Sequence, residues 1–330
     1  MQTRDGIRYL AGIGAGWVFA LLGTFLLLLS VRNFRWHADA QFIGAWFDRK
    51  CEIASGIQSP KILFAGGSNV QYGIQAELFE AGLGKPAVNF GLHGALPLDY
   101  LIKRTKEVAN PHDVIIFAPE YEYFFRDPSE FNLTTMRYLA ADDQDFLLLK
   151  NPFDLLLTIP ADILWARFFH NPILINAQNH QKLKDHLTTF NTNGDRQWTS
   201  RERRTDREFQ RLHRAKPTEL ATSVQSERAA HFPAQELLDF HEWCLNHKIQ
   251  FIACYPNTMR FPEYSAPESQ EFLAELSKFY RDHHIPNPDL PDDAFLETDD
   301  FFDSVYHPHQ EAAYTRTQKL LSTLKPILQP

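Results

Sequence analysis

The chain has 330 residues, 33 Lys+Arg against 41 Asp+Glu, and a formal net charge of -8. With 44% hydrophobic and 22% charged residues it is neither disordered, collagen-like nor coiled-coil, and its acidic balance argues against binding a nucleic-acid backbone. Cys51, Cys244 and Cys254 show no CxxC spacing, so neither a zinc site nor a disulfide framework is expected, although one pair could still form in an oxidising compartment.

Residues 1–8 precede an uncharged run, Tyr9 to Val31, of 23 residues. Such a run exceeds the ~30 Å hydrocarbon core of a bilayer when helical, and is longer than a secretory h-region of ~7–15 residues. It predicts an uncleaved, membrane-spanning signal anchor. The cleavage-like Ala38-Asp39-Ala40 lies well beyond it. Arg4 and Arg8 before the span are balanced by Arg32, Arg35, Arg49 and Lys50 after it, so charge alone does not orient the anchor.

Residues 32–59 read as a partly amphipathic connector, and 60–330 as an α/β domain. Lys61–Ala65 is a short apolar run closed by Gly66-Gly67, as in a buried parallel strand. A helix over Ile74–Leu83, a strand over Ala87–Phe90, a helix over Pro97–Ala109 and a strand over Val114–Ala118 follow. This alternation predicts a parallel sheet with right-handed crossovers. Residues 126–230 break the pattern and read as an insertion. It contains the apolar helices of Phe146–Leu164 and the charge-dense stretch Arg196–Arg214, a solvated helix face or loop rather than an anion-binding strip. Regular α/β structure returns with a helix over Ala234–His247, a strand over Gln250–Tyr255, a helix over Ser269–His283, a loop over Phe301–Pro308 and a helix over Gln310–Leu328.

Two places concentrate chemistry. Ser68 follows Gly66-Gly67 at the carboxyl end of the first strand, where open α/β sheets bind ligands. A nucleophile there meets backbone amides that favour a developing oxyanion; the plainer alternative is a helix N-cap. Asp299-Asp300-Phe301-Phe302-Asp303-Ser304-Val305-Tyr306-His307-Pro308-His309 gathers acids and histidines before the last helix. One loop can thus supply a base and the acid that orients it. A metal site using His307 and His309 finds no third ligand at a convincing spacing.

Gly66-Gly67-Ser68-Asn69 after the first strand, Asn89-Phe90-Gly91-Leu92-His93-Gly94 after the second, and Asp303 with His307 before the last helix resemble the SGNH (GDSL-type) hydrolases. The resemblance covers roughly residues 60–125 and 233–325. It implies a flavodoxin-like three-layer α/β/α fold and a serine esterase or acyltransferase needing no cofactor. Ser68 is then the nucleophile, His307 the base and Asp303 its acid, with Asp300 the alternative. The amides of Ser68 and Gly91, or Gly94 in its place, form the oxyanion hole. The third block departs from the family: Ala118-Pro119-Glu120 carries no Asn, and Glu120 stands where an oxyanion donor is expected. An ionised Glu120 would repel the oxyanion, whereas a protonated one would donate to it. With its N-terminal anchor, the chain is similar to the DltD-like and alginate-acetylation-like branch. That implies a domain outside the cytoplasmic membrane, an acylated envelope glycan as substrate, and a multi-spanning O-acyltransferase as partner.

Overall fold

A computed structural model of the chain describes residues 2–58, 60–128, 130–169, 183–185, 187–217, 220 and 232–329. In chain order it contains α1 (Gln2–Val31), α2 (Ala38–Gly56), β1 (Ile62–Gly66), α3 (Ser68–Gly73), α4 (Ala76–Leu83), β2 (Ala87–Gly91), α5 (Leu98–Val108), β3 (Val114–Ala118), α6 (Leu133–Asp142), α7 (Gln144–Lys150), a π-helical turn (Asp154–Thr158) and α8 (Ile159–Phe169). Next come α9 (Asp206–Leu212), α10 (Ala234–Asn246), β4 (Gln250–Ala253), β5 (Thr258–Met259), α11 (Pro267–Asp282), α12 (Pro291–Ala294), β6 (Phe295–Leu296) and α13 (Gln310–Leu328).

The chain packs as two compact units. One comprises Met1–Ala45 and Phe131–Lys184, the other Trp46–Glu130 and Asp185–Pro330. The expected single insertion, residues 126–230, is therefore divided between them. The connector of residues 32–59 is mostly the helix α2.

The first unit is helical. In α1, Gly6–Val31 is long and apolar enough to cross a membrane. Its side chains are exposed over most of their length, but Leu28 and Val31 in the last turns are buried. There Gln144 donates from Nε2 to Leu28 O at 3.0 Å, and Asn33 N–H donates to Ala141 O at 2.7 Å. Arg35 pairs with Asp142 at 2.6 Å, and Arg137 with Asp162 at 2.7 Å.

The second unit is built on a four-stranded, all-parallel sheet in the order β2-β1-β3-β4. β1, β2 and β3 are buried along their whole length, which is why their sequences run apolar instead of alternating. Ile62, Phe64, Val114, Ile116 and Ile252 project to one face, where Val70 of α3, Phe79 of α4 and Leu320 and Leu324 of α13 cover them. On the other face Phe117 meets Phe251 and Phe240 of α10. Helices thus cover both faces. β5 and β6 add a two-stranded parallel sheet that their two-residue lengths hide from any periodicity argument.

The amino edge of the sheet is closed by a fully buried ion pair. Lys61 Nζ lies 2.8 Å from Asp113 Oδ2, and Asp113 Oδ1 accepts from Lys61 N–H at 2.8 Å. Asn110 N–H adds a bond of 2.7 Å to Asp113 Oδ2. The opposite edge is set by register. Gly66 pairs with Gly91 on one side and Ala118 on the other. Ser68 and Glu120 each lie two residues beyond this row, so the pairing of β1 with β3 brings them together.

Candidate functional site

Ser68 is the first residue of α3, a helix of 6 residues. So short a helix has no stability of its own. Its conformation is imposed by side chains from the surrounding elements. Asn89 in β2 donates from Nδ2 to Val70 O at 3.0 Å and Ile74 O at 2.8 Å. Asn257 Nδ2 donates to Gly73 O at 3.1 Å and is itself held by Arg316, whose Nε donates to Asn257 Oδ1 at 2.9 Å. Arg316 also pairs with buried Asp289. At Gly91 a Cβ would run into the backbone of Val70 and Gln71, so the close approach of α3 to β2 requires glycine there.

The Ser68 hydroxyl donates to Glu120 Oε1 at 2.8 Å, and Asn69 N–H donates to the same oxygen at 2.9 Å. Glu120 is buried, with 2% of its surface exposed. Its carboxyl group lies between two glycines: a Cβ on Gly67 would come within 2.6 Å of Oε1, and one on Gly94 would overlap Oε2. Among the described residues no Lys, Arg or His pairs with Glu120. Buried Asn69 ties the two strand ends further, donating from Nδ2 to Ala118 O at 3.0 Å.

His307 and Asp303 form the second pair, with His307 Nδ1 2.6 Å from Asp303 Oδ1. Burial alone would raise the Asp303 carboxyl. The His307 hydrogen bond and charge, with Arg211 and Arg196 further off, outweigh it and hold Asp303 below the ordinary aspartate value. Arg211 also donates to the Asp303 carbonyl. Asp300 belongs instead to a turn cap, where its Oδ2 accepts from Glu297 N–H at 3.1 Å. His309 Nδ1 caps α13 by accepting from Ala312 N–H at 3.1 Å, which removes that nitrogen from any metal reading. Burial lowers His309 below the ordinary imidazole value, with Glu311 and Asp300 opposing the shift. No group of three or more metal-ligating side chains occurs among the described residues.

Tyr72 links the two pairs. Its ring stacks on the His307 imidazole with centroids 3.9 Å apart and planes 5° from parallel. Four residues beyond Ser68, Tyr72 shares its face of α3, about 6 Å along the axis. The Arg196 guanidinium lies 5.3 Å from the Tyr72 ring centroid. Ser68 and Glu120 therefore meet at the carboxyl edge, and Tyr72, one turn along α3, carries the stacked imidazole of the His307–Asp303 pair. Ser68 and His307 are not hydrogen-bonded to each other; the hydroxyl faces Glu120.

Two expected roles look different in three dimensions. The Gly91 amide donates to Asn89 Oδ1 at 3.0 Å, so it is engaged within the scaffold. The Gly94 and Ser68 amides have no hydrogen-bond partner among the described residues, and Gly94, like Gly67, adjoins the Glu120 carboxyl. Sequence reasoning also assigned nothing to Tyr72, Asn69 and Asn89. Tyr72 was legible only if the helix began at Ser68; starting it at Ile74 conceals the four-residue relation.

No family model, no curated protein and no solved structure matches the chain.

Proposed function

We propose that this chain is a membrane-anchored serine esterase or O-acyltransferase of SGNH type, working on acyl groups of a cell-envelope glycan outside the cytoplasmic membrane. The observation that carries the reading is the placement of a His307–Asp303 pair against Tyr72, one turn along the helix that Ser68 opens. The strand order β2-β1-β3-β4, with Ser68 directly after β1, supports a flavodoxin-like doubly wound fold.

In this reading Ser68 turns about its Cα–Cβ bond from Glu120 towards His307. The Nε2 atom of His307 takes the hydroxyl proton as Oγ attacks the acyl carbonyl carbon. Asp303 holds the Nδ1 proton and stabilises the imidazolium. The carbonyl π pair moves onto oxygen, where the Ser68 and Gly94 amides receive it. Collapse expels the glycan alkoxide, which takes the proton from His307 and leaves an acyl-Ser68 ester. Water, or a second glycan hydroxyl, then attacks that ester by the same steps in reverse.

Reaction of the detergent-solubilised full chain with a fluorophosphonate tests this. The wild type should be labelled at Ser68, and Ser68→Ala and His307→Ala should not be. The full chain should also sediment with membranes. A second reading, a non-catalytic subunit that binds an acylated polymer, draws on the bond from Ser68 to Glu120. A wild-type chain that stays unlabelled but retains the glycan on an affinity column would favour it.

A further inference from the structure

The helical unit carries a second apolar surface beside the anchor, and its position points to a lipid contact. From Asp154 to Phe169 the chain is continuously helical through the π turn and α8. Leu155, Ile159 and Ile163, spaced by four, are buried inside the unit. Large apolar side chains also face outward: Leu157, Trp165, Phe168 and Phe169 on this helix, Phe153 just before it and Leu149 in α7 are between 57% and 85% exposed. A helix apolar on both faces does not suit contact with water on one of them.

The charges of this segment do not interrupt the outer face. Asp162 is turned inward to Arg137, at 2.7 Å, and accepts from Trp36 Nε1 at 3.4 Å. Asp154 accepts from Asn151 Nδ2 at 2.5 Å and from Thr158 Oγ1 at 3.0 Å. Lys150 and Arg167 lie in the last turns of α7 and α8, and cationic side chains of this length extend to headgroup level at an interface. Trp is also enriched at bilayer interfaces, and Trp, Phe and Leu form the apolar faces of interfacial helices.

Continuity with α1 decides the occupant. The start of α7 is bonded to the last turn of α1 through Gln144 and Leu28 O, and Arg32 pairs with Asp145 at 3.1 Å. If Gly6–Val31 crosses a bilayer, α7 begins where that helix leaves it. We propose that α7, the π turn and α8 form a second, monotopic membrane contact, with Leu149, Phe153, Leu157, Trp165, Phe168 and Phe169 sunk about 5–10 Å into the adjoining leaflet. The segment lies in the interface and does not cross it, since α1 alone among the described helices has the length and hydropathy to span. This inference rests on the reading of α1 as an anchor and is independent of the chemistry at Ser68.

Depth-dependent quenching tests it on the full chain in phosphatidylcholine–phosphatidylglycerol vesicles with brominated acyl chains. In a Cys51→Ala background, Phe153→Cys and Phe168→Cys are each labelled with bimane. Phe19→Cys in the anchor serves as the reference. The expected result is strong quenching at positions 153 and 168, shallower than at 19. Quenching at 19 with none at 153 and 168 would overturn the second contact while leaving the anchor intact. No quenching at 19 would remove the anchor and the inference together. Loss of maleimide labelling at 153 and 168 in native membranes, without quenching in vesicles of the pure protein, would assign the face to a protein partner and also overturn it.

Discussion

The two edges of the parallel sheet each hold a buried carboxylate, and they treat it differently. At the amino edge Asp113 has a cation, Lys61, at 2.8 Å and two backbone N–H donors besides. At the carboxyl edge Glu120 has a hydroxyl and one backbone N–H, with no cation paired to it among the described residues. The first arrangement is closed: every strong interaction of the acid is made inside the fold. The second puts its one side-chain bond on the hydroxyl of a partly exposed serine. The Asp113 pair belongs to the scaffold, whereas the Glu120 carboxyl is held by a hydroxyl and a backbone N–H between two glycines.

Substitutions at the two edges can break or sharpen that contrast. The largest effect is expected at the carboxyl edge. Ser68→Ala should reduce ester turnover on the order of 10⁴–10⁶-fold with the melting temperature nearly unchanged, and a Ser68→Ala/His307→Ala double variant should be little worse, since such groups act as a unit. Steady-state hydrolysis of an aryl acetate beside a thermal melt measures both. A residual activity above a tenth of wild type would sink the nucleophile.

The amino edge should show the opposite signature. Asp113→Ala leaves Lys61 buried without its partner and should cost about 3–5 kcal/mol of stability. Urea titration of the variant checks this, and a loss under about 1 kcal/mol would mean that the pair is not the closed structural device described here.

Glu120 tests whether its acid matters as a charge or as a shape. Glu120→Gln keeps an acceptor for Ser68 in the same glycine-lined slot and should retain or raise activity. Glu120→Ala empties the slot and should lower kcat by about 10–10³-fold, as loss of one preorganised polar group does. Unchanged kinetics in both variants would remove Glu120 from the site.

A further effect is electrostatic and lies behind the carboxyl edge. Lys50 donates to Asn89 O at 2.9 Å and Asn89 Oδ1 at 3.1 Å, so it supports the side chain that holds α3. Burial pushes Lys50 down to about 7, with Asp195 opposing and Arg196 adding to the shift. The unfolded chain keeps this proton up to about pH 10.4. Between about 7 and that value the unfolded state binds more protons, so stability should rise with pH across this window. Lys50→Met should flatten the rise, measured by urea titration at about pH 7 and about pH 9.5. An equal rise in the variant would reject Lys50 as its source.

Sequence by itself determined what depends on local chemistry. The uncharged run Tyr9–Val31 lies within a helix able to span a bilayer, because length and hydropathy need no partner to be read. The strands at Val114–Ala118 and near Ile62 and Ala87 were legible from short apolar runs closed by glycine or proline, and α13 began and ended as expected. Position after a strand likewise marked Ser68, and the clustering of acids and histidines before the last helix marked the Asp303–His307 loop. Only the tertiary structure decided the rest. The bond between Ser68 and Glu120 follows from the register Gly66 to Ala118, a pairing of segments 52 residues apart that no local pattern encodes. Tyr72 reached His307 because Asn89, Asn257 and the bare Gly91 hold a helix too short to form alone. The same Asn89 takes up the Gly91 amide, since a backbone donor can serve only one direction at a time.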